Sequence, residues 1–202
     1  MCIMFGKWKM SKLITEYPDW ADETLIKNIW GSTVYQANWR FGQKSNNDTV
    51  YPMWFQAFYN VHQNEYVVKN DMIKYVGDQF LKLCGEEYML VRSMLAGNTF
   101  GQDGDIHDDW QIPQESLTGV LYLNRRWEDN WGGETIVYDK QNLDYCEISK
   151  LQAGKLVVFD GYNPHIGKGP QRNCGELRCI IAVQAVKTNA WNKLLDSKKK
   201  TS

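Results

Sequence analysis

Short apolar runs separated by turn residues fill the second half of the chain, and they constrain its fold more than any other feature. In chain order after residue 87 these runs are YMLVRSML, TGVLYLN, ETIVYD, KLVVFD and LRCIIAVQAV. Runs of this length, bounded by Gly, Pro, Asn or Asp, predict β-strands. Several such strands after a helical region favour a sandwich or barrel that is braced by helices on one side.

The first 87 residues have a different pattern of apolar and polar residues. Apolar residues recur at helical spacing over residues 19–30 and 68–83, which predicts two helices. The stretch between them, FGQKSNNDTVYPMW, contains Gly, Asn, Asp and Pro and is predicted to be loops. We therefore expect an α+β, mainly β fold, and a chain of 202 residues is of ordinary size for a single domain.

Composition excludes several classes of protein. The chain has 23 basic and 24 acidic residues, so its net charge of −1 does not draw it to nucleic acid or to an anionic membrane. No apolar run approaches the roughly 20 residues of a membrane span, and the start lacks the apolar core of a secretory signal. These features predict a cytoplasmic protein. Met10 opens a more ordinary segment, so residues 1–9 are either native or an upstream extension.

The five cysteines are odd in number and scattered along the chain. The one close pair, Cys174 and Cys179, lacks the two-to-four-residue gap of a zinc knuckle. We therefore expect reduced thiols. Of the three histidines, His62 has no acidic residue within two positions and is predicted to be an ordinary surface histidine.

The other two histidines lie at the edges of predicted strands. Asp109 follows His107 by two residues, and in an extended strand residues i and i+2 point to the same face. Such a pair can bind one metal ion from one side, although it also arises often by chance. The side chain of Asp108 would point to the opposite face, which places it in solvent or at the rim of a pocket.

A second candidate ligand, His165, follows an apolar strand within the turn-rich segment VVFDGYNPHIGKGP. Two imidazoles and one carboxylate on one face of an iron ion leave three positions open, as in non-haem Fe(II) oxygenases. Strand alternation would send Arg178 and Ile180 to one face of the last strand. A buried guanidinium needs an anion, and either a dicarboxylate cosubstrate or an Asp or Glu side chain would serve.

Together these residues carry a family resemblance. Four segments occur in order: GxDGxxHxD (Gly101 to Asp109), VLYLNRRWEDNWGGET (Val120 to Thr135), GKLVVFDGYNPH (Gly154 to His165) and ELRCIIAV. They resemble the prolyl 4-hydroxylase-type branch of the 2-oxoglutarate, Fe(II)-dependent oxygenases over about residues 88–187. The resemblance implies a catalytic core over 88–187, an N-terminal support of helices and loops over 1–87, and a C-terminal tail over 188–202.

The resemblance also implies a double-stranded β-helix, which is a jelly-roll, cupin-like barrel. Its iron ligands would be His107, Asp109 and His165, and Arg178 would anchor the distal carboxylate of 2-oxoglutarate. Tyr122 would either donate its hydroxyl to that carboxylate or pack as a core tyrosine. The implied cofactors are Fe(II), 2-oxoglutarate as cosubstrate and O2, with ascorbate as a further candidate.

Four residues are candidates for the substrate side. Asp108 is one as a rim residue, and Arg172 is a second because it lies in the polar loop QRNCGE. Trp127 and Trp131 would either cap the end of the barrel or stack on substrate. Gly132 and Gly133 lie beside them and are predicted to adopt positive φ at the entry to the next strand.

The resemblance favours a prolyl residue in a peptide or protein as the substrate. Same-superfamily enzymes that act on a small molecule or a nucleic-acid base are alternatives, and Arg172 and Arg178 have a spacing seen in the nucleic-acid enzymes. The near-neutral charge argues against nucleic acid. A non-catalytic, cupin-like metal-binding module is the remaining alternative. The sequence does not determine the oligomeric state.

Overall fold

A computed structural model describes residues 12–45, 52–61 and 65–201 of the chain. The expectations for residues 1–9 and for His62 lie outside these described residues. The strands are β1 (Ile14–Tyr17), β2 (Arg40–Gln43), β3 (Met53–Asn60), β4 (Glu65–Tyr66), β5 (Tyr88–Asn98), β6 (Ser116–Tyr122), β7 (Thr135–Asp139), β8 (Asn142–Ser149), β9 (Leu156–Asp160), β10 (His165–Gly167) and β11 (Arg178–Lys187). The α-helices are α1 (Glu23–Ile29), α2 (Asp71–Cys84) and α3 (Thr188–Thr201), and a π-helical turn, Trp30–Val34, follows α1.

The strands form two antiparallel sheets. The larger sheet has the order β1-β9-β6-β11-β5-β3-β2, with β4 paired to β3, and the smaller sheet has the order β10-β7-β8. One face of the larger sheet packs against α1 and α2, and the opposite face packs against the smaller sheet. This arrangement confirms the mainly β, jelly-roll barrel braced by helices.

Strand alternation explains how one sheet serves both layers. On β11, Cys179, Ile181 and Val183 belong to the cluster that contacts the helices, whereas Ile180 and Ala182 belong to the cluster inside the barrel. Successive side chains of a strand point to opposite faces. Arg178 is therefore on the inner face, as the sequence predicted.

Both predicted helices form, and their N-caps set where they begin. The side chain of Asp22 accepts a hydrogen bond of 2.7 Å from the backbone N–H of Leu25, and α1 starts at the next residue, Glu23. Asn70 caps α2 in the same way through the N–H of Ile73, at 3.1 Å. These side chains satisfy backbone donors that a helix start leaves unpaired.

Residues before 87 are not only helices and loops, because they also contribute β1–β4. β1 pairs with β9 and β3 pairs with β5, so this region extends the larger sheet at both sides. The sequence did not indicate β3, since MWFQAFYN has apolar residues on both faces and directly follows turn residues. β8 was also missed, because most of its residues are polar and at least partly exposed.

Most of the segment 188–202, which the resemblance marks as a C-terminal tail, is helical. Thr188–Thr201 forms α3, which starts directly after β11. Ala190 and Trp191 are buried against Val91 and Val186 of the larger sheet. Burial of an indole contributes enough apolar contact to hold a helix that its polar sequence alone would leave frayed. Among the described residues, no helix is both long and apolar enough to cross a membrane.

Four cysteines lie within the described residues, and all four are free thiols, as expected. Burial raises the pKa of Cys84 and of Cys179 to about 12. Since the thiolate is the reactive form, we expect neither residue to react with iodoacetamide in the folded protein near pH ~8. Mass-spectrometric mapping before and after unfolding checks this prediction. Fast labelling of Cys179 in the folded protein would contradict it.

Candidate active site

The two predicted histidine ligands are held together by a short backbone bridge. The N–H of His107 donates to the carbonyl of His165 at 3.1 Å, and the N–H of His165 donates to the carbonyl of His107 at 2.8 Å. Their ring centroids are 4.4 Å apart. The carboxylate of Asp109 lies 3.8 Å from Nε2 of His107 and 3.5 Å from Nε2 of His165. One ligand atom from each of the three residues lies within 4.8 Å of the others.

Hydrogen bonds leave the Nε2 lone pairs of both rings available. Nδ1 of His107 lies 2.9 Å from the carbonyl oxygen of Asp105, and Nδ1 of His165 lies 3.0 Å from that of Asn163. A carbonyl oxygen only accepts, so each Nδ1 carries a proton, and in a neutral ring the lone pair of Nε2 is then available to a metal ion. Burial lowers the pKa of His165, which favours its neutral, metal-binding form.

The two neighbouring aspartates have different partners. Asp109 accepts a hydrogen bond of 2.6 Å from the hydroxyl of Thr118, which holds its carboxylate towards the histidines. Asp108 instead forms an ion pair of 2.7 Å with Lys140 and accepts from Gln111 at 2.7 Å. Asp108 also lines the cavity. The donor set of two imidazoles and one carboxylate, each ordered by a partner, fits a non-haem iron site.

Arg178 is 1% exposed, and its hydrogen-bond partners are neutral. Its Nε donates to the carbonyl of Gly133 at 2.8 Å, and Nη1 and Nη2 donate to the side chains of Asn98 and Thr135, each at 3.3 Å. Among the residues that the structure describes, no carboxylate lies within 4.0 Å of this guanidinium. The Asp or Glu partner left open by the sequence is therefore absent from this part of the chain, and a bound anion remains the candidate.

Both sets of residues line one cavity of about 330 Å³. Three of the five N–H groups of Arg178 have protein partners, which leaves two for an anion in the cavity. Apolar side chains of Met94, Val120 and Ile180 also line the cavity. Three candidate metal ligands and a buried arginine thus line one partly apolar cavity.

A model of the 2OG-Fe(II) oxygenase superfamily matches residues 91–183 of the chain. This segment contains the three candidate ligands and Arg178. Over these residues, which are just under half of the chain, the protein is similar to the 2OG-Fe(II) oxygenase superfamily. No curated protein matches it in sequence.

Solved structures of oxygenases share its fold. A prolyl-4-hydroxylase from Pseudomonas putida is 16% identical, with a TM-score of 0.60 over 86% of this chain and 92% of that chain. A prolyl hydroxylase from Trichoplax adhaerens, in complex with a hypoxia inducible factor peptide fragment, is 18% identical, with a TM-score of 0.63 over 87% and 84%. The alpha ketoglutarate dependent epimerase SnoN from nogalamycin biosynthesis is 10% identical, with a TM-score of 0.61 over 86% and 77%. At these identities the likeness shows the fold alone.

Within this oxygenase fold, Tyr122 is fully buried and does not line the cavity. Its hydroxyl donates to Oγ1 of Thr135 at 2.7 Å and lies 3.2 Å from the carbonyl of Ser149. Thr135 also accepts from Arg178, and it does line the cavity. Its hydroxyl oxygen receives two hydrogen bonds, which leaves its own O–H to donate to a ligand. Tyr122 is therefore positioned to orient Thr135.

The two tryptophans pack against each other at the loop before β7. Trp127 and Trp131 form an edge-to-face pair at 5.5 Å, and the indole N–H of Trp127 donates to the carbonyl of Gly132 at 2.8 Å. Gly132 and Gly133 have φ of 72° and 82°, which confirms the predicted positive values. Neither indole lines the cavity, which agrees with the capping alternative.

Arg172 is exposed, and the structure does not bring it to the cavity. It lines a separate depression on the surface with Asp129 and Glu134. The loop that carries it turns outward before β11 begins, so closeness in sequence to Arg178 does not translate into closeness to the site.

Sequence reasoning missed several residues of the site, namely Arg92, Asn98, Thr118, Thr135 and Gln184. Alternation could have found Thr118, because it lies four residues before Tyr122 on β6 and shares its inward face. Asn98 is placed beside Arg178 by the antiparallel register of β5 and β11. No local pattern indicates that register.

Proposed function

We propose that the protein is an Fe(II)- and 2-oxoglutarate-dependent dioxygenase that hydroxylates a C–H bond of its substrate. The substrate, 2-oxoglutarate and O2 would give the hydroxylated product, succinate and CO2. One observation carries this proposal: His107, Asp109 and His165 line the same cavity as Arg178, a buried cation without a carboxylate partner among the described residues. The catalytic core would be residues 88–187.

Each residue of the cavity would then have a defined task. Nε2 of both histidines and the carboxylate of Asp109 would hold the iron, and Thr118 would keep Asp109 oriented. The two unused N–H groups of Arg178 would hold the distal carboxylate of 2-oxoglutarate, with the hydroxyl of Thr135 as a further donor. Iron and 2-oxoglutarate, once bound, would supply the activation of O2 and the oxidation of the C–H bond.

The chain itself would control solvent and orientation. Met94, Val120 and Ile180 present apolar surface between the charged groups and limit the water around the oxidised C–H bond. Tyr122 would act as a positioning residue through its hydrogen bond to Thr135.

A prolyl residue in a peptide is the substrate that we propose. The sequence segments that resemble prolyl 4-hydroxylases support it, as does the fold shared with two prolyl hydroxylases, one of them in complex with a peptide. A small-molecule substrate is the second candidate, because an epimerase from nogalamycin biosynthesis shares the fold equally well.

Succinate formation tests the proposal directly. The protein is loaded with Fe(II) without oxygen, mixed with 2-oxoglutarate, and then exposed to O2 with proline-containing peptides, free amino acids or no substrate. We expect succinate that requires both iron and O2, that a proline peptide stimulates, and that accompanies the gain of one oxygen atom by the peptide. If only small molecules stimulate succinate formation, the substrate is a small molecule and not a peptide. Absence of both turnover and metal-dependent 2-oxoglutarate binding would favour the non-catalytic metal-binding module.

A further inference from the structure

A second arginine, Arg92 on β5, lines the same cavity as Arg178. In the antiparallel pairing of β5 and β11, Arg178 lies opposite Asn98 and Gln184 lies opposite Arg92. Arg92 and Asn98 are six residues apart on one strand, which is about 20 Å at roughly 3.3 Å per residue, and their side chains share a face. The cavity therefore has an arginine towards each end.

Arg92 has no anionic partner in the described part of the chain. No hydrogen bond or ion pair to its side chain forms there, and the acid whose charge acts on it is the candidate metal ligand Asp109. Burial lowers the pKa of Arg92, in the direction expected when a cation is withdrawn from water. Arg92 is partly buried, and a guanidinium that is withdrawn from water without an anion is costly.

The surroundings of Arg92 also contain hydrogen-bonding groups without partners. A neighbouring cavity of about 260 Å³ shares Arg92, Asp109 and Gln184 with the first one and continues to Trp110 and Ser116. The indole N–H of Trp110 and the hydroxyl of Ser116 are buried and have no hydrogen-bond partner among the described residues. Buried donors of this kind are normally satisfied, so a ligand with acceptor oxygens fits this region.

The balance of charges in the cavity indicates which kind of ligand would bind beside Arg92. Among the described residues, the lysines and arginines that line the first cavity are Lys44, Arg92 and Arg178. Lys44 is exposed, so water screens its charge, whereas Arg92 and Arg178 are withdrawn from solvent. Asp108 is neutralised by Lys140, and a divalent metal would neutralise Asp109. If Arg178 and the metal take the two carboxylates of 2-oxoglutarate, the charge of Arg92 remains unbalanced. One guanidinium matches a monoanion, which favours a carboxylate over a dianionic phosphate.

We propose that Arg92 binds a carboxylate of the substrate, so that the hydroxylated molecule is a free amino acid or an acidic peptide. This inference rests on the proposed function. Arg92 would be a specificity-determining residue, six residues along β5 from Asn98, which lies opposite Arg178.

Binding measured without oxygen tests the inference, since no turnover then occurs. The protein is loaded with Fe(II) and saturating 2-oxoglutarate and titrated by calorimetry with matched acid and amide probes. The free amino acid arm compares L-proline with L-prolinamide, and the peptide arm compares acetyl-Glu-Pro-amide with acetyl-Gln-Pro-amide. We expect the acid to bind roughly ten- to hundredfold more tightly than its amide in one arm, as for a hydrogen bond to a charged group. The arm that discriminates identifies the source of the carboxylate.

Variants assign that preference to one side chain. Arg92→Gln should abolish it, Arg92→Lys should retain part of it, and Arg172→Gln, the matched change of an exposed arginine outside the cavity, should leave it intact. The 2-oxoglutarate affinity of each variant reports whether the protein is folded.

Three results would overturn the inference. They are equal binding of acid and amide in both arms, a preference that survives Arg92→Gln, and an equal loss in Arg172→Gln. Failure of 2-oxoglutarate itself to bind the iron-loaded wild type would be a separate result, which overturns the proposed function together with this inference.

Discussion

Substitution of Arg178 by alanine is expected to weaken 2-oxoglutarate binding by a hundredfold or more. Its two unused N–H groups match the two oxygens of a carboxylate, and loss of a buried, charge-assisted pair costs about 2–5 kcal/mol. Calorimetry of the metal-loaded protein without oxygen measures the change. The activity assay should show the same loss as a higher 2-oxoglutarate requirement.

Two further variants make the Arg178 experiment specific. Arg178 also donates to Gly133, Asn98 and Thr135, so its removal leaves buried acceptors unpaired and lowers the melting temperature. Arg178→Lys keeps the charge but loses the fork of donors, so we expect an intermediate affinity. Arg172→Ala changes an exposed residue outside the cavity, so this variant should bind 2-oxoglutarate as tightly as the wild type. If Arg172→Ala and Arg178→Ala lose the same affinity, the assignment of the anchor is wrong.

Asp109→Ala is expected to abolish turnover and to lower the affinity for Fe(II). Loss of a residue that only hydrogen-bonds to a metal ligand lowers metal affinity roughly 10–100-fold, and we expect loss of the ligand itself to lower it further. The carboxylate of Asp109 lies within 3.8 Å of both imidazole nitrogens, and no other carboxylate within the described ranges joins this cluster. Equilibrium titration with Fe(II) under nitrogen, followed by the succinate assay, measures both effects.

Asp108→Ala is the matched control for this variant. It removes the adjacent carboxylate, whose ion pair with Lys140 lies near the surface, with side-chain exposures of 26% for Asp108 and 27% for Lys140. Pairs near the surface contribute about 0–1 kcal/mol to stability, so metal binding and most of the activity should remain. The opposite ranking of the two variants would show that the ligand is Asp108.

The parts of the fold that sequence reasoning predicted are those with strong local periodicity. The runs that became β5, β6, β7, β9 and β11 are apolar enough to be recognised alone, and the helical spacing of α1 and α2 was equally clear. β8 and β1–β4 were missed because their residues are polar or lack alternation, and they become strands only by pairing with a sheet already formed. The same reason applies to α3, which depends on the burial of Trp191.

The chemistry of the site divides in the same way. The sequence by itself indicated the three candidate metal ligands and Arg178, because residue type, i, i+2 spacing, strand alternation and the resemblance of four segments to an oxygenase family are all properties of the sequence. Only the tertiary structure showed that Arg178 has neutral partners, that Arg172 lies outside the cavity and that Arg92 lies within it. These facts depend on the register between β5 and β11, strands about eighty residues apart. Distant strands align through packing and hydrogen bonds across the whole sheet, which no short stretch of sequence encodes.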